Sequence, residues 1–228
     1  MDSTWSTLVL SLKVAGWATA INLFLGIGTG FLLARTRFRG REIIDSLLTL
    51  PIVMPPTVLG YYLLVVVGRN GWLGAWLHEH FGIQLIFTWQ GAVLAAVIVS
   101  FPLVFKPARA AFEAVDHQLE QAGRVLGVSE WGIFFRVTLP LAWRGILAGL
   151  LLAFARAMGE FGATLMVAGS IPGETQTLSV AIYEAVQAGQ DGTANQLVLV
   201  TSIVCIALLL LAGRLAPGRI SHQTQEQA

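Results

Sequence analysis

Apolar residues fall along this chain in five long runs separated by polar segments. The runs cover about residues 14–34, 46–67, 87–105, 145–169 and 197–213. Each is near the ~17–25 residues a helix needs to cross the hydrocarbon of a bilayer. Lipid offers no partner to backbone N–H and C=O groups, so these runs are expected as helices. Pro51, Pro55 and Pro56 interrupt the second run, Pro102 lies near the end of the third, and the fourth contains Arg156 and Glu160. The pattern predicts an all-α polytopic membrane protein with about five transmembrane helices, forming one domain over residues 1–228. The first run is expected as a retained span. A secretory signal has a basic start and only ~7–15 apolar residues, whereas the first twelve residues here hold Asp2 and no Lys or Arg.

The segment 106–144, between the third and fourth runs, is far longer than a connector requires. Phe112, Val115, Leu119, Ala122 and Leu126 recur at steps of three and four, which marks one apolar face of a helix. Gly127 is placed to end that helix in a left-handed conformation. Ser129 offers an N-cap to a second short helix through Trp131, Phe134 and Phe135. Leu139-Pro140 is expected to stop it. Such a hairpin either lies on the membrane surface or docks on a cytoplasmic partner.

Composition narrows the class. Of 228 residues, 55% are hydrophobic and 12% charged, with mean hydropathy +0.71. A soluble domain carries roughly 25% charged residues, so a soluble enzyme and a disordered chain are both excluded. The net charge of +1 points to no nucleic acid. Its distribution is more telling. Eleven of the 14 basic residues lie in three segments: Arg35, Arg37, Arg39 and Arg41; Lys106, Arg109, Arg124, Arg136 and Arg144; and Arg214 and Arg219. With five spans these segments share one side, and the other side holds Arg69 alone. The positive-inside rule then puts the amino-terminal end outside and the carboxyl-terminal end in the cytoplasm, for a multi-pass protein of the cell (inner) membrane.

Candidate chemistry is sparse. Cys205 is the single cysteine and the four histidines fall in three separate segments, so no metal-site spacing exists. A phosphate-binding P-loop needs Gly-Lys-Ser/Thr, but Lys13 follows Leu12 and Lys106 follows Phe105. No cofactor is expected in this chain, and no nucleophile–base cluster suggests an enzyme. Arg156 and Glu160 are four apart on one helix face. They either line or gate a path, or form a structural ion pair. A glutamate repels an anion, which argues against Glu160 as a ligand for one. The prolines 51, 55 and 56 mark either a bend at a pore or a packed kink. Gly26, Gly28 and Gly30 read as close helix contacts. The outer segment 177–187 is weakly amphipathic, resting on the outer surface or touching an external protein.

Permease subunits of binding-protein-dependent ABC importers carry Glu-Ala-Ala, three residues, Gly, nine residues, Ile, one residue, Leu-Pro. This chain has Gln121-Ala122-Gly123, Gly127, Val137 and Leu139-Pro140 at the same spacings. Gln replaces Glu, Gly the second Ala, and Val the Ile; Glu120, just before, is the candidate to serve in part for the missing acid. The segment resembles a coupling helix seated in a cleft of an ATPase subunit. The resemblance implies a type I ABC-importer permease fold, with Glu120, Gln121, Ala122, Gly123, Gly127, Val137, Leu139 and Pro140 in the coupling segment 106–144. More narrowly, residues 154–164 (Phe-Ala-Arg-Ala-Met-Gly-Glu-Phe-Gly-Ala-Thr), 171–177 and 50–60 resemble the signatures of molybdate permeases. Sulfate and thiosulfate permeases share a looser version. That resemblance implies an oxyanion importer for molybdate, or alternatively sulfate or tungstate, with Arg156, Glu160 and Thr164 as candidates for the path or gate. It also implies a second permease copy, an ABC ATPase subunit pair that uses the ATP, and an external or periplasmic oxyanion-binding protein. The competing class is a stand-alone anion carrier or channel, which has no need of a coupling segment.

Overall fold

A computed structural model describes residues 2–36 and 38–215 of the chain. All its regular elements are helical: α1 (Asp2–Arg35), α2 (Arg41–Val53), α3 (Pro56–Val67), α4 (Trp72–Phe81), α5 (Trp89–Glu113), α6 (His117–Val125), α7 (Glu130–Ile133), α8 (Leu139–Met158), α9 (Gly162–Ala168), α10 (Leu178–Gln187) and α11 (Asp191–Leu215). A π-helical turn, Phe134–Thr138, joins α7 to α8. Of the basic residues used to orient the chain, Arg37 and Arg219 lie outside the described residues.

Helices α1 and α5 form the spine, and they run parallel. Ala15 and Ala18, in the first half of α1, pack with Ala92 and Ala96, near the start of α5. Farther along, a Cβ on Gly26 would sit 2.6 Å from Val104 and one on Gly30 would sit 3.0 Å from Ala108. Small residues let the two backbones approach closely, the usual way apolar helices gain contact without a hydrophobic drive. Gly28 faces open space. At mid-height, buried Asn22 donates to Val97 O (3.0 Å) and Ser100 Oγ (2.9 Å).

Because α1 and α5 run the same way, the chain between them must return. Helices α2 and α3 do so as a broken span. Arg41, at the start of α2, pairs with Glu113 at the end of α5, while Val67, at the end of α3, packs with Ile86 just before α5 begins. The two helices meet at 111°. The second run is therefore two helices rather than one, and the prolines explain the break. Met54 and Pro55 are extended (ψ 142° and 133°), as residues preceding proline prefer. Pro56 can then start α3, where its missing N–H costs nothing.

The fourth run also departs from expectation. The helix begins at Glu130 and continues to Met158, 29 residues or about 43 Å at ~1.5 Å per residue. Pro140 does not stop it. The π-turn before it shifts the bonding, so that Leu139 N–H donates to Phe134 O, and Pro140 falls in the first turn of α8. The span then breaks at 159–161, inside the predicted run, and resumes as α9. With α11, four helices among the described residues are long and apolar enough to span a bilayer, and counting the bent pair as one span gives five. Leu197, near the start of α11, joins the cluster of Val14, Ala15 and Ala18 on α1, so α11 begins on the side of the bundle where α1 begins and runs parallel to it. Helix α1 starts well before residue 14. Its first turns are tied down by Ser11 Oγ, which accepts from Leu178 N (2.8 Å), and by Lys13 over the Trp89 ring (3.6 Å). Helix α10 buries Leu178, Val180, Ala181 and Ala185 against the bundle and leaves Tyr183 and Val186 exposed on its other face.

Candidate functional site

Two features carry the candidate residues: the tip built by α6 and α7, and the break between α8 and α9. At the tip, Asp116 caps α6, its Oδ1 accepting from Gln118 N (2.8 Å). The apolar face predicted over 112–126 is split by this cap. Phe112 and Val115 belong to α5 and its connector and are buried, whereas Leu119 and Leu126 are exposed. A new helix start resets the 3.6-residue phase, so the two halves face different ways.

Gly127 has φ +76°, and its N–H donates to Arg124 O (3.0 Å) while Val128 N–H donates to Gly123 O (3.0 Å). These are the two bonds of a Schellman corner. Ser129 Oγ accepts from Gly132 N (3.2 Å) and opens α7. Across the corner Arg124 makes two bonds to Glu130 (2.7 and 3.0 Å). The Glu130 carboxylate, foremost through those bonds, pushes the Arg124 guanidinium further above its ordinary range.

The corner leaves Val125 (87%), Leu126 (80%), Trp131 (74%) and Phe135 on the outside, beside Leu119, Gln121 and Ala122. Val125 was not in the predicted face, although its place after Ala122 and before the αL glycine points to it. Gly123 packs under the corner, where a Cβ would lie 3.1 Å from Ile133, which accounts for glycine where the importer pattern has alanine. Val137 and Leu139 are half-buried and Pro140 is exposed. Glu120 is the exception. Expected to serve for a docking acid, it turns inward and is 3% exposed, because Arg35 and Thr138 on the inner side supply its partners.

At the break, Arg156 Nη1 lies 2.7 Å from Glu160 Oε2, so the pair forms as its spacing predicts. Glu160 is not on the same helix, however. It follows Gly159, and its Oε1 accepts from Ala163 N (2.9 Å) at the start of α9. Oε2 faces the guanidinium charge but lies off its hydrogen-bonding directions. Ser179 Oγ reaches toward Met158 O (3.5 Å), and Tyr183 packs on Phe161 at 5.0 Å. Helix α10 thus closes over the break. Gly162 meets the other break, since a Cβ there would lie 2.8 Å from Pro56 Cβ. Glu160 and Thr164 are both buried, while Arg156 keeps a third of its side chain exposed. The geometry therefore makes Thr164 and Glu160 interior and leaves Arg156 alone of the three on an accessible face. Among the described residues no group of His, Cys, Asp and Glu could hold a metal ion.

Residues 26–221 match the family of binding-protein-dependent transport system inner membrane components. The chain belongs to this family. As a member of it, the chain is 46% identical over 92% of both chains to the molybdenum transport system permease protein ModB of Escherichia coli (strain K12). It is 36% identical to the sulfate transport system permease protein CysW of Synechocystis, covering 90% of this chain and 74% of that one. In shape it is similar to a chain of the bacterial alginate ABC transporter solved with its alginate-bound periplasmic protein, at a TM-score of 0.72 and 16% identity, covering 99% of this chain and 82% of that one. That likeness gives this inner-membrane component the fold of ABC-importer permeases. The family match takes in the tip, both breaks, all of α5 and the last turns of α1, with Gly26 and Gly30.

Proposed function

We propose that the chain is the transmembrane permease subunit of an ATP-driven importer that carries a tetrahedral oxyanion, molybdate, into the cytoplasm. The observation that carries this reading is the 46% identity to a molybdenum permease over 92% of both chains. Two copies of this chain enclose the path, two ATPase subunits hold and hydrolyse the ATP, and an external binding protein delivers the anion. The 106–144 face is cytoplasmic, with the amino-terminal end outside, as the concentration of Arg and Lys on that face supports.

The tip is suited to docking. Val125, Leu126 and Trp131 form an apolar knob on a corner braced by the Schellman bonds and the Arg124–Glu130 pair. A stand-alone carrier has no use for it. At the break, the Glu160 charge is spent on Arg156 and on the α9 amide. A glutamate so neutralised offers little repulsion to a passing oxyanion, and Arg156 presents the positive partner. ATP-driven uptake of radiolabelled molybdate by proteoliposomes containing the chain, its ATPase and its binding protein tests the reading. Saturable uptake that tenfold excess sulfate leaves intact is expected. Uptake abolished by sulfate would reassign the substrate, and uptake without ATPase would reassign the class.

A further inference from the structure

Helix α6 has one buried residue, and it is a carboxylate. Leu119, Gln121, Ala122 and Val125 on the same helix are all exposed. A surface helix ordinarily holds to its protein through an apolar stripe; α6 lacks one and is held by charge. Glu120 Oε1 accepts from the Thr138 hydroxyl (2.6 Å) and pairs with the Arg35 guanidinium. His117 Nδ1 lies 3.5 Å from Glu120 Oε2 and 3.1 Å from Arg35 Nη1. Thr138 is 1% exposed and Arg35 is mostly covered.

These partners belong to different membrane helices. Arg35 is the last residue of α1, which packs along α5. Thr138 is the last residue of the π-turn that feeds α8. From there the helix runs without interruption to Met158, at the break held by Arg156 and Glu160. One carboxylate therefore joins α6 to the ends of two membrane helices. Bonds to an ionised oxygen are short and directional, and burial keeps water from replacing them. A contact of this kind carries a displacement as a unit, where an apolar face would slide.

We propose that Glu120 is a positioning residue that links α6 to α1 and α8, so that movement imposed on α6 reaches the break at 159–161. The inference rests on reading the chain as an importer subunit. Glu120 touches neither substrate nor ATPase in this role; it acts through Arg35 and Thr138.

The test uses the full chain reconstituted with its ATPase and binding protein, recording molybdate uptake and ATP hydrolysis together. The variants are Glu120→Gln, Arg35→Gln, Thr138→Val and the double Arg35→Gln/Glu120→Gln. Glu120→Gln keeps the shape and still accepts from Thr138, but has no charge for Arg35. It is expected to raise the ATP consumed per anion imported on the order of tenfold, because it gives up a charge-assisted bond. The double variant is expected to be no worse than the poorer single, since both remove one link. Hydrogen exchange at the α6 amides, readable without any transport, is expected to rise in Glu120→Gln. An unchanged ATP-to-anion ratio with unchanged exchange would overturn the link. So would a ratio that stays constant while assembly yield and melting temperature fall together, which is what a purely structural role predicts. If wild type imports nothing with ATP, the importer reading fails on its own; the exchange result still decides whether Glu120 tethers α6.

Discussion

Replacing Gly127 isolates a single physical quantity. Its φ of +76° lies in the left-handed region, and a Cβ built there meets nothing within 4 Å. No clash contributes, so the cost of a side chain is conformational. For a β-branched residue that cost is about 1–3 kcal/mol, and for alanine about 1 kcal/mol. Asparagine, which visits this region several-fold more often than other residues, should sit between glycine and alanine. At ~1.4 kcal/mol per tenfold, Gly127→Val should disfavour the corner by about tenfold or more. The alternative is to open the two bonds that define it, Gly127 N–H to Arg124 O and Val128 N–H to Gly123 O. Opening them separates α6 from α7, and with them Val125 and Leu126, exposed before the corner, from Trp131, exposed after it. The assay is uptake and binding-protein-stimulated ATP hydrolysis in proteoliposomes, with membrane insertion measured alongside. Coupled transport should fall in the order Gly, Asn, Ala, Val while insertion is unchanged, since residue 127 lies in no span. A Val variant that couples normally, or an Asn variant as impaired as Val, would refute the argument from φ. A lipid-lying hairpin predicts a flat series, because it can adjust at little cost.

Packing of the spine gives a second expectation. Gly30→Val places a Cβ 3.0 Å from Ala108 Cβ and Arg109 N and should lower stability in detergent melts by about 1–3 kcal/mol, whereas Gly28→Val faces open space and should melt like wild type. At the break, Arg156→Gln strands a buried carboxylate. Removing one partner of a fully buried pair costs ~3–5 kcal/mol, and less is expected here because Arg156 is 33% exposed. The Arg156→Gln/Glu160→Gln double should melt higher than Arg156→Gln alone, and simple additivity of the two singles would count against the pair. With Cys205 replaced by serine, Gln118→Cys should resist an impermeant thiol reagent applied to intact cells; labelling from outside would invert the topology.

Much of this architecture is legible in the sequence because membrane helices obey few rules. Run length locates the crossings, and the distribution of arginine supports an orientation. Local chemistry also reads through. Gly127 takes positive φ and Ser129 caps the next helix, as their residue types favour. Gly26 and Gly30 meet α5 closely, as small residues in a span should. Each of these follows from a residue and its immediate neighbours.

What does not read through depends on partners remote in sequence. Pro140 should end a helix by the local rule, yet a π-turn one residue upstream absorbs the missing N–H and the helix continues. Glu120 looks like a solvent-facing acid on a polar helix until Arg35, 85 residues away, is found beside it. The 111° angle between α2 and α3 is set by more than the prolines that permit it: Pro56 is packed on Gly162, in the other broken span. The phase error over 112–126 differs in kind. Asp116 stands in plain view as an N-cap, and the periodicity simply runs past it. The same physics explains both outcomes. A cap or a glycine acts within one turn of backbone, whereas a buried charge or a broken helix is stable only when another segment supplies its partner. Those partnered positions gather at the tip's root and at the two breaks, where a transporter must be able to move.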